Sequence, residues 1–169
     1  MRKIVVLLVP VFILVLSLSF MFEEHSTKAL PSVNIKTLNG ITVNSKDFNN
    51  SGLPFIIALW GSYCPHCHEE LANISDVYEE WKEETGLKLI AIAIDDTRTS
   101  KKVKSYVNSE GWEFEIYLDE NGAFKRAISV NNLPYIAIVD SNRNIVFESF
   151  AYYDGAEEEL YEKVKELIK

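Results

Sequence analysis

The chain has 169 residues, with 17 lysines and arginines against 25 aspartates and glutamates, a net charge of −8 at pH 7. So acidic a surface repels phosphate, which argues against a nucleic-acid partner and against docking of the folded part on anionic lipid. There are only two cysteines, Cys64 and Cys67, and they lie three positions apart.

Arg2 and Lys3 precede an uncharged, almost wholly aliphatic and aromatic run from Ile4 to Phe22, followed by Glu23 and Glu24. A run of about nineteen such residues suffices to cross a bilayer. The basic end is expected to stay cytoplasmic, which sends the rest of the chain outward. Residues 1–22 therefore read as a signal anchor, with contact to the membrane through residues 4–22. A signal peptide cleaved after Ser19, releasing a secreted protein, is the alternative, because Ser17-Leu18-Ser19 has small residues at suitable spacing. The apolar run is longer than the usual signal core, and no cysteine near its end would accept a lipid. Residues 23–30 are mixed polar and read as a linker. Residues 31–169, about 140 residues, are enough for one domain with a sizeable core. Setting aside the two positive charges of Arg2 and Lys3, the remainder carries −10.

Within that domain, Val33 to Val43 alternates on either side of Asn39-Gly40, which predicts an N-terminal hairpin. Ser45 to Gly52 is polar and connects. Pro54 to Trp60 is continuously apolar and predicts a central strand buried on both faces. From Cys64 to about Thr85, Leu71, Ile74, Tyr78 and Trp81 recur at helical spacing, and Gly86 ends the helix. Lys88 to Ile94 predicts a second buried strand, Asp95-Asp96 opens a loop, and Ser100 to Glu110 a second helix. This alternation is the pattern of parallel βαβ units. Phe114 to Leu118 predicts a strand and Asn121 to Ile128 a short helix. Tyr135–Val139 and Ile145–Phe150 are close enough to pair as an antiparallel hairpin. Ala156 to Lys169 closes the chain as a helix with Leu160, Val164, Leu167 and Ile168 on one face. The fold class is α/β, a mixed β-sheet flanked by helices.

Between the first buried strand and the first helix lies Trp60-Gly61-Ser62-Tyr63-Cys64-Pro65-His66-Cys67-His68-Glu69-Glu70. Two thiols three apart at the head of a helix can close a small disulfide, and the helix N-terminus offers unpaired N–H groups and partial positive charge to a thiolate. Cys64 is the expected nucleophile and Cys67 the resolving thiol. A structural zinc site would need two more ligands; the only histidine outside this stretch is His25, in the linker, and His66 and His68 sit too near the cysteines. His66, between the sulfurs, can donate a hydrogen bond or positive charge to Cys64, whereas His68 reads as a solvated helix residue. Glu70 lies on the same helical face as Cys67, and the plain reading of it is an exposed first-turns carboxylate favoured by the helix dipole. Trp60 and Tyr63 read either as partly exposed aromatics around the disulfide, offering apolar surface to a peptide, or as ordinary packing.

This motif, with Pro134 about seventy residues later ahead of Tyr135-Ile-Ala-Ile-Val-Asp140, resembles the thioredoxin superfamily. Glu70 and the N-terminal segment make it most similar to the extracytoplasmic TlpA/ResA-like branch, over residues 31–169. The resemblance implies a thioredoxin-like fold, a cis Pro134 against the disulfide, and backbone at Leu133 that pairs with a client peptide. It implies no cofactor beyond the Cys64–Cys67 disulfide. It implies protein thiols or disulfides as clients, among them cytochrome c precursors, and an electron donor or acceptor in the membrane or beyond it. Pro-His is also the dipeptide between the cysteines of the bacterial oxidase DsbA, which points to a more oxidising couple. Where ordinary thioredoxins place a buried aspartate six residues before the first cysteine, this chain has Ala58; Glu70 is the candidate substitute, and the resemblance implies that it tunes the cysteines or contacts a client. The rival reading is a copper carrier on the same fold. Such carriers usually space their cysteines by three residues and add a distant histidine; here the spacer is two and no histidine follows His68.

Overall fold

The computed structural model describes residues 28–168. The segment expected to enter the membrane, 4–22, lies outside the described residues, and among those described no helix is long and apolar enough to cross a bilayer. The strands are β1 (Lys28–Ala29), β2 (Asn34–Thr37), β3 (Thr42–Asn44), β4 (Phe55–Trp60), β5 (Lys88–Ala93), β6 (Glu115–Leu118), β7 (Tyr135–Val139) and β8 (Asn144–Ser149). The helices are α1 (Pro65–Thr85), α2 (Ser100–Glu110), α3 (Ala123–Ala127) and α4 (Ala156–Ile168). All the described strands join one sheet in the order β1-β8-β7-β4-β5-β6-β2-β3.

β4 reads as an unbroken apolar run because both its faces are covered. It pairs parallel with β5 and antiparallel with β7, so neither edge meets solvent. The pleat sends Ile56, Ala58 and Trp60 to one side, against Leu71, Ile74, Tyr78 and Trp81 of α1, Val103 and Val107 of α2, and Leu160 and Val164 of α4. Phe55, Ile57 and Leu59 go to the other side, with Phe124 and Ile128. Burying each such side chain contributes roughly 1.5–3 kcal/mol, so this strand with its two layers dominates the core. The 3.6-residue repeat of α1 places its apolar stripe on that sheet face.

α1 stops at Gly86, which takes the left-handed conformation (φ 69°) and donates its N–H to Lys82 O at 2.9 Å. A Cβ there would lie 2.9 Å from Leu53 Cδ1, so both conformation and space call for glycine. β2 and β3 pair antiparallel about Asn39-Gly40, and β2 extends the sheet from β6. Ser45 Oγ, donating to Pro31 O and accepting from Val33 N, ties the start of this unit to its end.

Several boundaries differ from the sequence expectation. Lys28 and Ala29, expected in the linker, pair with Ile145 and Asn144 and cover the outer edge of β8, and Leu30 is buried behind them. An uncovered edge strand would offer unpaired N–H and C=O groups, which is what this pairing removes. β6 begins at Glu115, one residue late. α3 is shorter than Asn121–Ile128, because Gly122 is left-handed at its start and Asn121 Oδ1 takes the N–H of Ala123 in a local turn. In α4, Leu160 and Val164 are buried, but Leu167 and Ile168 are exposed because the helix runs past the end of α1.

Candidate active site

β4 carries the chain to the edge of the sheet at Trp60, whose carbonyl accepts from Ile94 N. The turn that follows is pinned by Asp95 at the end of β5. Asp95 is fully buried and accepts from Ser62 N at 2.8 Å and Ser62 Oγ at 2.5 Å. A Cβ at Gly61 would lie 2.9 Å from the Tyr63 ring, so any larger residue would push that exposed ring aside. Cys64 N then donates to Gly61 O at 3.0 Å, and extended backbone at Cys64 (φ −106°, ψ 96°) makes it the N-cap of α1. Its sulfur accepts from Cys67 N at 3.3 Å. Pro65 follows at the first helical position, where a missing N–H costs nothing.

Cys64 and Cys67 form a disulfide, S–S 2.04 Å. Cys64 is half-buried while Cys67, one turn in, is 1% exposed. The two sulfurs are thus unequal to an incoming group. Leu133 and Cys64 each pack against the apolar cluster that contains Cys67, and the Leu133–Pro134 bond is cis, the state the resemblance implied. Ala58 lies inside that same cluster, so the position where thioredoxins keep an aspartate is wholly apolar here.

The other anticipated residues divide. Tyr63 is 64% exposed beside Cys64, and burial of its hydroxyl end and the nearby Asp95 and Asp96 charges raise its pKa. Of the two readings of Trp60, the partly exposed one is overturned: its accessibility is 0%. Its ring meets Trp112 edge-on at 5.2 Å and also packs on Tyr106 and His68, so the pleat of β4 turns it inward beneath the motif. The expected contact of His66 with the Cys64 sulfur is absent in this disulfide form. The ring is exposed, and Nδ1 lies 3.1 Å from Glu69 Oε2, the neighbour three residues on along α1. His68, expected to be solvated, stacks on Tyr106 at 4.3 Å, with Nε2 buried and no partner among the described residues.

Glu70 is 6% exposed, on the inner face of α1 with Cys67. Of the two readings of this residue, the exposed carboxylate is therefore ruled out. Burial, and secondarily the charge of Glu157, push its carboxyl up to about 7. Asp95 and Glu157 were not anticipated as part of the site. Asp95 carried a signal, a carboxylate at the end of a buried strand next to the one that delivers the cysteines. Glu157 carried none, being one of three glutamates in the first turn of α4. No three His, Cys, Asp or Glu side chains among the described residues converge where a metal could sit.

Comparison with known proteins agrees with this geometry. The model of a family described as the AhpC/TSA family matches residues 27–148. A protein named thiol-disulfide oxidoreductase ResA, from Bacillus thuringiensis subsp. konkukian, is 26% identical over 140 residues, 83% of this chain and 77% of that protein. Among solved structures, an uncharacterized thioredoxin-like protein from Porphyromonas gingivalis is 43% identical, with TM-score 0.73 over 85% of this chain and 94% of that one. StoA from Bacillus subtilis, 19% identical, shares the fold at TM-score 0.63 over 79% of this chain and 96% of its own. With a disulfide between cysteines three apart at the head of α1 and a match over most of its length, the chain belongs to the AhpC/TSA family, as a thioredoxin-like thiol-disulfide oxidoreductase.

Proposed function

We propose that the Cys64–Cys67 couple exchanges disulfides with protein clients outside the cytoplasm, from a domain tethered to the membrane by residues 4–22. The observation that carries this is the inequality of the sulfurs: Cys64 at the N-cap of α1 is reachable, and Cys67 is buried behind it. In the oxidising direction a client thiolate attacks Cys64 Sγ, the Cys64–Cys67 bond breaks, and Cys67 leaves as a thiolate that takes up a proton. A second client thiolate then attacks the client sulfur of the mixed disulfide. Cys64 departs as a thiolate and the client has lost two electrons. In the reducing direction Cys64 thiolate attacks a client disulfide, and Cys67 thiolate, after giving up its proton, attacks Cys64 Sγ to free the reduced client. Tyr63 and the backbone at Leu133 supply the surface on which the client peptide lies.

Glu70 is the group suited to accept and return the Cys67 proton, three residues along the same face, in a site where Ala58 offers none. Cytochrome c precursors before haem attachment are the client class the family likeness favours for reduction; the Pro65-His66 pair favours oxidation. Trapping separates them. In full-length protein expressed in its host, Cys67→Ser should accumulate covalent complexes through Cys64, because no internal thiol remains to resolve them, while Cys64→Ser should not. Cytochrome c precursors among the trapped partners would mark a reductase, and a broad set of newly exported proteins an oxidase. Equal trapping by both variants would show that the roles assigned to the two sulfurs are wrong.

A further inference from the structure

Glu70 has one acidic neighbour that comes from a distant part of the chain. A cavity of about 20 Å³ between α1, α4 and the β7–β8 hairpin is lined by Glu70 and Glu157 together with Ile136, Phe147, Leu160 and Tyr153. That volume admits a single water molecule. Glu157 Oε2 is buried and has no hydrogen-bond partner among the described residues, and Glu70, 6% exposed, has no ion pair among them. Glu159 also lines the cavity, but its carboxylate is taken by Lys163 and Tyr153. The other two carboxyl groups, Glu70 and Glu157, cannot both ionise in so small and largely apolar a space without cost, because desolvation and mutual repulsion act in the same direction.

We propose that Glu157 is a positioning residue of the thiol site: across this one-water cavity it and Glu70, which lies three residues along α1 from Cys67, hold one proton between them. Glu70 is the more deeply buried of the two, and so the proton resides there. Among the described residues neither Glu70 nor Glu157 has an ion pair, and Lys163, whose ammonium lies 4.9 Å over the Phe147 ring, is paired with Glu159. On α1 the nearby titratable group is Glu69, turned toward His66. On the segment leading into α4 are Tyr152, bonded to Asn73, then Tyr153, bonded to Glu159, and Asp154. Glu159 itself faces Lys163 at 3.6 Å, and β7 and β8 contribute Ile136, Phe147 and Ser149. When the Cys64–Cys67 bond is cleaved and Cys67 leaves as a thiolate, Glu70 gives it the stored proton; when the disulfide re-forms, Cys67 returns that proton to Glu70. Glu157 thus sets the pH range in which the pair holds a proton for the leaving thiolate.

This rests on the reading of Glu70 as the proton partner of Cys67, and the test separates the two. Full-length protein in detergent, labelled with ¹³C at glutamate side-chain carboxyls, reports the Glu70 titration, and the potential of the Cys64–Cys67 couple against glutathione is measured from pH 5 to 9. Glu157→Gln keeps the shape of the side chain. It should move the Glu70 titration to lower pH by about half a unit or more, and move the bend in the pH profile of the potential by the same amount. Glu70→Gln should abolish the bend. If Glu157→Gln leaves both the titration and the bend in place while Glu70→Gln removes the bend, the pair is overturned and the role of Glu70 stands. If Glu70→Gln leaves the bend unchanged, the role of Glu70 falls and the pair's link to the thiols falls with it.

Discussion

Glu70 shows what burial does to one residue. Its carboxyl titrates near 7 in the folded protein against an ordinary 4.5, first because it is desolvated and second because Glu157 is close. The native state therefore keeps a proton that the unfolded chain releases near pH 4.5. The stability this gives is complete below about pH 4.5 and is lost as the pH rises through about 7. At about 1.4 kcal/mol per unit, the loss is about 3 kcal/mol at most. Glu70→Gln should thus match the parent in urea unfolding near pH 4.5 and exceed it by about 1–3 kcal/mol above pH 7. A difference that stays constant across this range would mean that Glu70 does not titrate within it.

At the level of elements, the junction of β4 and α1 sorts the two aromatics of the motif into different duties. Trp60 is the last residue of β4 and lies under a lid of Tyr106 and Trp112 from the α2 region, whereas Tyr63 sits on the turn held by Asp95 and faces solvent. Trp60→Ala should cost about 3–5 kcal/mol of stability, as expected for a large buried side chain. Tyr63→Ala should change stability by less than about 0.5 kcal/mol. It should slow exchange with protein disulfides several-fold while exchange with a small thiol such as glutathione is unchanged. Equal slowing with both partners would remove Tyr63 from the client surface. A second junction, the parallel stack of Trp81 on Tyr161 at 4.6 Å with Tyr161 Oη donating to Glu84 at 2.6 Å, fastens α1 to α4. That fastening sets the first turn of α4, and so Glu157, against Glu70.

For the whole molecule, the features that bear on partners and location are the acidic composition of the domain and the apolar run of residues 4–22. The −10 carried beyond Lys3 attracts cationic and repels anionic partners at long range, and salt weakens both effects. The full-length chain should remain with carbonate-washed membranes, and Cys64, once reduced, should react with an impermeant thiol reagent applied from outside in cells whose outer barrier is opened. Recovery of a soluble form beginning near Phe20 would instead show cleavage and release.

The sequence alone determined the parts of this protein that are local or periodic. The unbroken apolar run of β4, the 3.6-residue stripe of α1, the glycine at 86 and two cysteines bracketing Pro65-His66 each state their own backbone and their own chemistry, so the sheet, the helices and the thiol pair were legible. Periodicity also put Glu70 on the face of Cys67. It could not say how deep that face lies, because depth is set by α4 and the β7–β8 hairpin, which fold back from the far end of the chain. For the same reason Trp60 was left open and His68 was misplaced: the rings that cover them, Tyr106 and Trp112, belong to another βαβ unit. Asp95 acquired its role only when parallel pairing of β4 with β5 brought the two strand ends together. Side-chain type and spacing fix which bonds a segment can make; burial and proton affinity are set by neighbours from elsewhere in the chain, and only the tertiary structure decided those.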